Sequence, residues 1–370
     1  MSDDRIVFGP EDVDTSRGPL RGFGRETFVL GAFNPGFTRL PDGRLLMMVR
    51  VAEALRQPVW DERVHAIRWT PGGYVADGWP LAATDRTDPR KFRLRAEAWP
   101  TLALTSLSWL LPVILSEDGA RVEDVLYDRA IAPAASTERY GVEDARIARV
   151  DDAYVLTACT VSDERHGTSL WTSKDGLDWT PHGLVLDHQN KDMVLFEGRV
   201  GGAFMAMTRP LGDLYFAPPP GDPHASGPAV HLATSPDLEH WKPWPRPGLR
   251  PLAGSAGAAR MGGGAPPVLT ERGWLCLYHA VQAGGDVGIY RTYAALLDRD
   301  DPSVALWRDE TRPVLSPRDD LTDCYGPARY LTGVVFTTGL VREAGGWLAA
   351  SGEADLACRL TRLPEEALPA

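Results

Sequence analysis

Cysteine is sparse in this sequence, with four residues in 370: Cys159, Cys276, Cys324 and Cys358. None forms a C-x-x-C pair, which argues against a disulfide framework or a thiolate metal site. Cys159 and Cys276 sit inside apolar runs, as buried free thiols do, and unpaired thiols fit the cytoplasm. Positive charge is also short: 39 Lys and Arg stand against 50 Asp and Glu, a net charge of −11. That field works against nucleic acid and anionic membranes as partners. Long apolar runs are missing. The best, Thr101 to Leu115, is interrupted by Pro112. It falls short of the roughly 20 residues a membrane span needs, so it reads as buried strands. The opening residues MSDDRIVFGP lack the basic and apolar regions of a signal peptide. The 8 His residues show no H-x-H or H-E-x-x-H arrangement, and no metal is expected. Sustained helical periodicity is lacking as well.

What is plentiful is turn formers and aromatics: 37 Gly, 31 Pro and 12 Trp. Many turns and many short apolar stretches point to an all-β chain. One pattern recurs: a polar or small residue, an apolar stretch, a two-residue turn and a second apolar stretch. It spans Asn34 to Arg50, Glu143 to Thr160, Lys191 to Arg209, Gly264 to Ala280 and Gly333 to Asp355. Each copy reads as a β-hairpin, with Asp-Gly, Gly-Gly or similar pairs supplying the turn. SKDGLDW (Ser173 to Trp179) and SPDLEHW (Ser235 to Trp241) read as two versions of one further element. A repeated hairpin with outer strands is a propeller blade, so the pattern predicts a five-bladed β-propeller with a central axial pocket. It would be a single domain over residues 1–370, with an insertion at about 85–130 inside the gap from Val51 to Glu143. A β-sandwich or two β-domains is the competing architecture.

Aligning the turns aligns the polar residues. Asn34 lies eight positions before Asp42, and Asp144 lies eight before Asp152. Lys191 and Asp192 lie at nearly the same distance before the Gly201–Gly202 turn. Taken singly, such residues cap turns. Taken together, equivalent polar positions on innermost strands would converge on one axial site.

At these residues the sequence resembles glycoside hydrolase family 130, the β-mannoside phosphorylases and their hydrolytic relatives. The matching segments include FNPG (Phe33 to Gly36), GVEDARI (Gly141 to Ile147), NKDMVLF (Asn190 to Phe196), MTRP (Met207 to Pro210), RMGGGAPP (Arg260 to Pro267), GWLCLYHAV (Gly273 to Val281) and GEAD (Gly352 to Asp355). They follow the family's order from about Asn34 to Asp355. The resemblance implies the five-bladed propeller. It also implies that Asp144 is the general acid, acting through a sugar hydroxyl, and that Lys191, Arg209 and Arg260 hold phosphate. Asn34 and Asp355 match sugar-contacting positions; Arg50, Asp192, His279 and Tyr278 lie in matching motifs. If the Glu143–Asp144 segment is a regular strand, these neighbours point to opposite faces and are not a catalytic carboxylate pair.

An inverting hydrolase needs a second carboxylate to activate water. A phosphorylase needs cations for an anionic nucleophile and one acid for the leaving group. The basic trio therefore favours phosphorolysis, giving α-mannose 1-phosphate, with inorganic phosphate as co-substrate and no cofactor. A small β-mannoside or manno-oligosaccharide is the expected partner, and a homo-oligomer is compatible with the resemblance. Two alternatives are a hydrolase of the same family, with Glu353 or Asp192 as base, and a non-catalytic carbohydrate-binding propeller.

Overall fold

The computed structural model describes residues 3–95, 101–212, 215–255, 257–285 and 287–369. Part of the 85–130 stretch, residues 96–100, lies outside the described residues. Among those described, helix is confined to short 3-10 turns, and everything else of regular structure is strand. The reason is visible in the chain: short β-branched and aromatic runs are cut by Gly, Pro and Asp turns before a helix could propagate.

All five expected hairpins form. They pair Thr27–Arg39 with Leu45–Leu55, Gly141–Val150 with Ala153–Val161, Asn190–Val200 with Ala203–Pro210, Val268–Thr270 with Gly273–Gln282, and Val335–Glu343 with Gly346–Glu353. The hairpins join into a four-, an eight- and a nine-stranded sheet, accompanied by two three-stranded sheets. Within the eight-stranded sheet, Ser106–Leu115 runs antiparallel to Leu45–Leu55 and meets the next hairpin through one parallel pair, Ser108 with Gly141. Glu197 opposite Val268 makes the corresponding parallel join in the nine-stranded sheet. The N-terminal strand Asp3–Phe8 pairs with the C-terminal strand Ala357–Pro364, so both ends of the chain share one sheet.

The apolar run at 101–115 becomes two strands, of which Ser106–Leu115 is buried throughout. Its Leu107, Trp109, Leu111 and Val113 pack in one cluster with Phe8, Leu348 and Leu360, so residues from both ends of the chain share a core. Each such side chain contributes about 1.5–3 kcal/mol on burial. Cys159, Cys276 and Cys358 are buried free thiols, and Cys324 is exposed.

The two Ser-x-Asp elements are the same turn. Ser173 Oγ accepts from the Gly176 amide at 2.9 Å, and Ser235 Oγ accepts from the Leu238 amide at 2.9 Å. Gly176 sits at φ 80°, and Leu238 holds the same left-handed place at φ 74°. The side-chain hydrogen bonds impose a backbone that leucine alone would not choose.

Candidate active site

A backbone irregularity recurs in or just after four of these hairpins. Asn34, Asp144, Asp192 and Asp355 all have positive φ, at 48°, 53°, 55° and 49°. For the first three, the strand register slips there: between Phe33 and Gly36, between Glu143 and Arg146, and between Lys191 and Val194. These are β-bulges, which re-aim side chains at the cost of a ladder hydrogen bond. Asn and Asp tolerate the left-handed region better than other non-glycine residues. Local backbone cost and convergent polar groups therefore coincide, as they do at functional sites.

The bulge corrects one expectation. Glu143 and Asp144 do not face opposite ways, because strand alternation fails at Asp144. Arg50 binds both: Nη2 donates to Glu143 Oε1 at 2.8 Å and Nη1 to Asp144 Oδ1 at 2.9 Å. Its Nε donates to Ser108 Oγ at 3.1 Å. The other oxygen of Glu143 takes Lys191 Nζ at 3.3 Å, and Asn34 Nδ2 donates to Asp144 Oδ1 at 2.9 Å. Burial works against ionisation of Asp144, but Arg50, Lys191 and Arg146 outweigh it, and the carboxyl stays well below its ordinary range. Glu143 is held low by Arg50 and Lys191 against the same burial. Asp144 is thus a carboxylate.

A second cluster lies beside it. Asp192 Oδ2 is 3.0 Å from Arg209 Nε and 3.5 Å from His279 Nε2, and its Oδ1 is 3.8 Å from Arg146 Nη2. Burial pushes His279 down to about 3, with Arg209, Arg146 and Arg260 adding to the push and Asp192 opposing it, so the ring is neutral. Its face meets Phe336 at 4.8 Å and Tyr290 at 5.7 Å between centroids. Arg260 donates from Nη2 to the Val287 carbonyl at 3.1 Å and lies over the Tyr290 ring. Close packing fixes two glycines here. A Cβ on Gly352 would collide with the Asn34 amide, and one on Gly262 with the His279 ring and Asp192.

These groups border one cavity of about 270 Å³. Asn34, Arg50, Asp144, Lys191, Asp192, Arg209, Arg260 and Asp355 all line it. His279 stands just behind, against Asp192, Arg209 and the two aromatic rings. Five cationic side chains line the wall (Arg50, Arg90, Lys191, Arg209, Arg260) against three carboxylates (Asp144, Asp192, Asp355). In a chain of net charge −11, this is a local excess of positive charge. Two buried polar atoms of the cavity residues have neither a hydrogen-bond partner nor an ion-pair partner: Asn34 Oδ1 and Arg260 Nε. Buried polar groups are rarely left so, and the two, one acceptor and one donor, suit a polar ligand.

A family model for glycoside hydrolase family 130, described as beta-1,4-mannooligosaccharide phosphorylase, matches residues 115–368. The chain belongs to that family. It is 30% identical over 337 residues to a beta-1,2-mannobiose phosphorylase of Listeria innocua, covering 85% of this chain and 83% of that protein. It is 32% identical over 205 residues to a 1,2-beta-oligomannan phosphorylase of Thermoanaerobacter sp., covering 55% of this chain and 61% of that protein. Among solved structures, a Listeria innocua beta-1,2-mannobiose phosphorylase in complex with beta-1,2-mannobiose matches with a TM-score of 0.80 at 27% identity, covering 98% of this chain and 97% of that one.

Two residues of the family-130 motifs lie away from the cavity. Tyr278 is buried in a core cluster and shares its hydroxyl with Arg308 Nε at 3.3 Å. Glu353 is fully buried, taking the Arg318 amide at 2.7 Å and Arg359 Nη1 at 2.8 Å. It does not supply the second carboxylate that a hydrolase would need. The sequence reading missed Arg146, although it stands in GVEDARI. It also missed Arg90, His166, Tyr290 and Phe336, which lie outside the quoted motifs. Among the described residues, no Trp lines the cavity.

Asp355 behaves unlike Asp144 and Asp192, the other two carboxyls of the cavity wall. Burial and the Asp144 charge raise its carboxyl to about 6, against the attraction of Arg50. A native value above the ordinary 3.8 means that the folded state holds this proton more tightly than the unfolded chain. The stability it contributes is present below the unfolded value and is lost as pH rises through about 6. The cost above that pH is at most about 3 kcal/mol, less what solvent screens. We expect Asp355→Asn to melt higher than the parent protein at pH 8, with the gap closing toward pH 4. Melting curves at the two pH values check this; a gap independent of pH would remove the explanation.

Proposed function

We propose that this protein cleaves β-mannosides with inorganic phosphate and inversion, yielding α-mannose 1-phosphate, and that β-1,2-mannobiose is a substrate. We further propose that its sheets form five blades of a propeller with the cavity on the axis. Five hairpins and a sheet shared by both chain ends support that architecture. The observation that carries the functional reading is the convergence of Lys191, Arg209 and Arg260 on the cavity that also holds Asp144.

In this reading a phosphate oxygen attacks the anomeric carbon, and the bond to the leaving oxygen breaks as that oxygen takes a proton from a sugar hydroxyl, which Asp144 reprotonates. Arg209 and Arg260 present guanidinium donors that suit phosphate, and Lys191 adds a point charge. Asp144 begins as a carboxylate, so its proton arrives with the substrates. A phosphate bound beside Lys191 offsets the positive field that keeps Asp144 ionised, and a sugar displaces water from it; both raise its affinity for a proton. The carboxylates offered for a hydrolytic base fit that task poorly. Glu353 is engaged elsewhere, and Asp192 is encircled by Arg209, Arg146 and His279.

Incubating β-1,2-mannobiose with and without phosphate tests the reading. The expected result is turnover only with phosphate, with α-mannose 1-phosphate as product. Equal sugar release in both conditions would make the protein a hydrolase, and binding without turnover would make it a lectin-like propeller. Arg209→Ala should raise the KM for phosphate by roughly 10- to 100-fold, the worth of a hydrogen bond to a charged group, with a smaller change in the KM for mannobiose.

A further inference from the structure

Three cavity residues, Asn34, Arg50 and Arg90, precede the region that the family model matches, and of these Arg90 stands in none of the family motifs. Arg90 precedes the strand Lys91–Leu94, which pairs with Thr84–Asp85 and with Thr101–Leu104. This small sheet ends before residue 115, where the family match begins. It is anchored rather than loose: Phe92 and Ala103 are buried against Val64 and Ala66 of the neighbouring sheet. The Thr105 amide donates to the Arg90 carbonyl at 3.0 Å. The guanidinium is clamped by Asp88, with Nε to Oδ1 at 2.9 Å and Nη2 to Oδ2 at 2.7 Å. Both side chains are mostly out of solvent, at 23% and 15% exposure.

The clamp decides what Arg90 can bind. A guanidinium has five N–H donors in a rigid fork, and Asp88 takes two. Asp88, which Lys91 Nζ also approaches at 3.5 Å, offsets part of the charge. The remaining N–H groups can still donate to neutral oxygens. The charged and polar groups that act on Arg90 besides Asp88 are Asp355 and Tyr330. Arg90 therefore belongs to the Asp355 end of the cavity. Inversion sets nucleophile and leaving group on opposite faces of the sugar. If Lys191, Arg209 and Arg260 hold the nucleophile, the departing sugar takes the other end.

We propose that Arg90, positioned by Asp88, donates hydrogen bonds to hydroxyls of the leaving sugar, and that the 84–104 sheet thereby sets which acceptor the enzyme uses. This rests on the phosphorylase reading. The synthetic direction tests it, with α-mannose 1-phosphate as donor and mannose as acceptor. Arg90→Ala should raise the acceptor KM roughly 10- to 100-fold with a much smaller change for the donor. Asp88→Asn, which leaves the guanidinium charged but unclamped, should raise the acceptor KM by less. Equal increases for donor and acceptor would make Arg90 an anion ligand and overturn the proposal, as would no change. Should Arg90→Ala fail to fold, Arg90→Gln replaces it. If the parent protein makes no sugar phosphate, the phosphorylase reading fails on its own. Calorimetry then decides the Arg90 question. Arg90→Ala must weaken β-1,2-mannobiose binding more than methyl β-mannoside binding, and equal weakening refutes it.

Discussion

Asp144→Asn should lower the rate of mannobiose phosphorolysis by roughly 10²- to 10⁴-fold, the usual worth of general acid catalysis. The substitution keeps the shape of the side chain and an Oδ1 that can still accept from Asn34 and Arg50, so folding and sugar binding should survive. What is lost is the proton. The loss should depend on the leaving group. An aryl β-mannoside, whose phenolate departs without much help, should suffer far less than mannobiose. The pH profile of the parent enzyme should agree. Asp144 is ionised because Arg50, Lys191 and Arg146 overcome its burial. The productive protonated form is therefore scarce in the free enzyme, and kcat/KM should fall as pH rises. An Asn variant with most of its activity on mannobiose, or with equal losses on both substrates, would take Asp144 out of the acid role.

Much of this site could be read before any coordinates. Asn34, Asp144 and Lys191–Asp192 stood at nearly matching distances from their turns, and the cavity gathers them. Period-two reasoning then failed where it mattered. Alternation predicted that Glu143 and Asp144 would diverge, yet a bulge at φ 53° turns both toward Arg50. Nothing in the residue types Glu-Asp-Ala-Arg announces a bulge, because Asp is common in ordinary turns as well. Arg90 was invisible for a different reason. It belongs to a segment that repeats no other part of the chain, and only tertiary packing through Phe92 brings it to the cavity. Glu353 failed in the opposite sense. Its place in GEAD, two residues from Asp355, suggested the base of a hydrolase. The regular strand Gly346–Glu353 instead carries it into an ion pair with Arg359, and the chain turns only afterwards, at Ala354 and Asp355.

Arg50→Ala should be the most destabilising single change in the site. Arg50 is the shared partner of two carboxylates whose side chains are 5% and 11% exposed. Removing it leaves two neighbouring negative charges in a poorly solvated place, and breaking a buried ion pair in this way costs about 3–5 kcal/mol. Lys191 still touches Glu143 and Asn34 still donates to Asp144, which favours the lower end. The dependence on pH follows from the shifts. In the parent protein both carboxyls lie below their ordinary values, so they contribute stability above the unfolded pKa that is lost as pH falls through the folded one. Without Arg50, burial and mutual repulsion dominate and both values rise. The variant is then weakest near neutral pH and regains ground on the parent as acid neutralises the pair. Adding Glu143→Gln to Arg50→Ala should recover part of the loss, because one uncompensated charge is gone. The double-mutant cycle, followed by urea unfolding at pH 7 and pH 4.5, measures that coupling. Additive effects at both pH values would mean that Arg50 acts by packing over Phe33 rather than by holding two acids side by side.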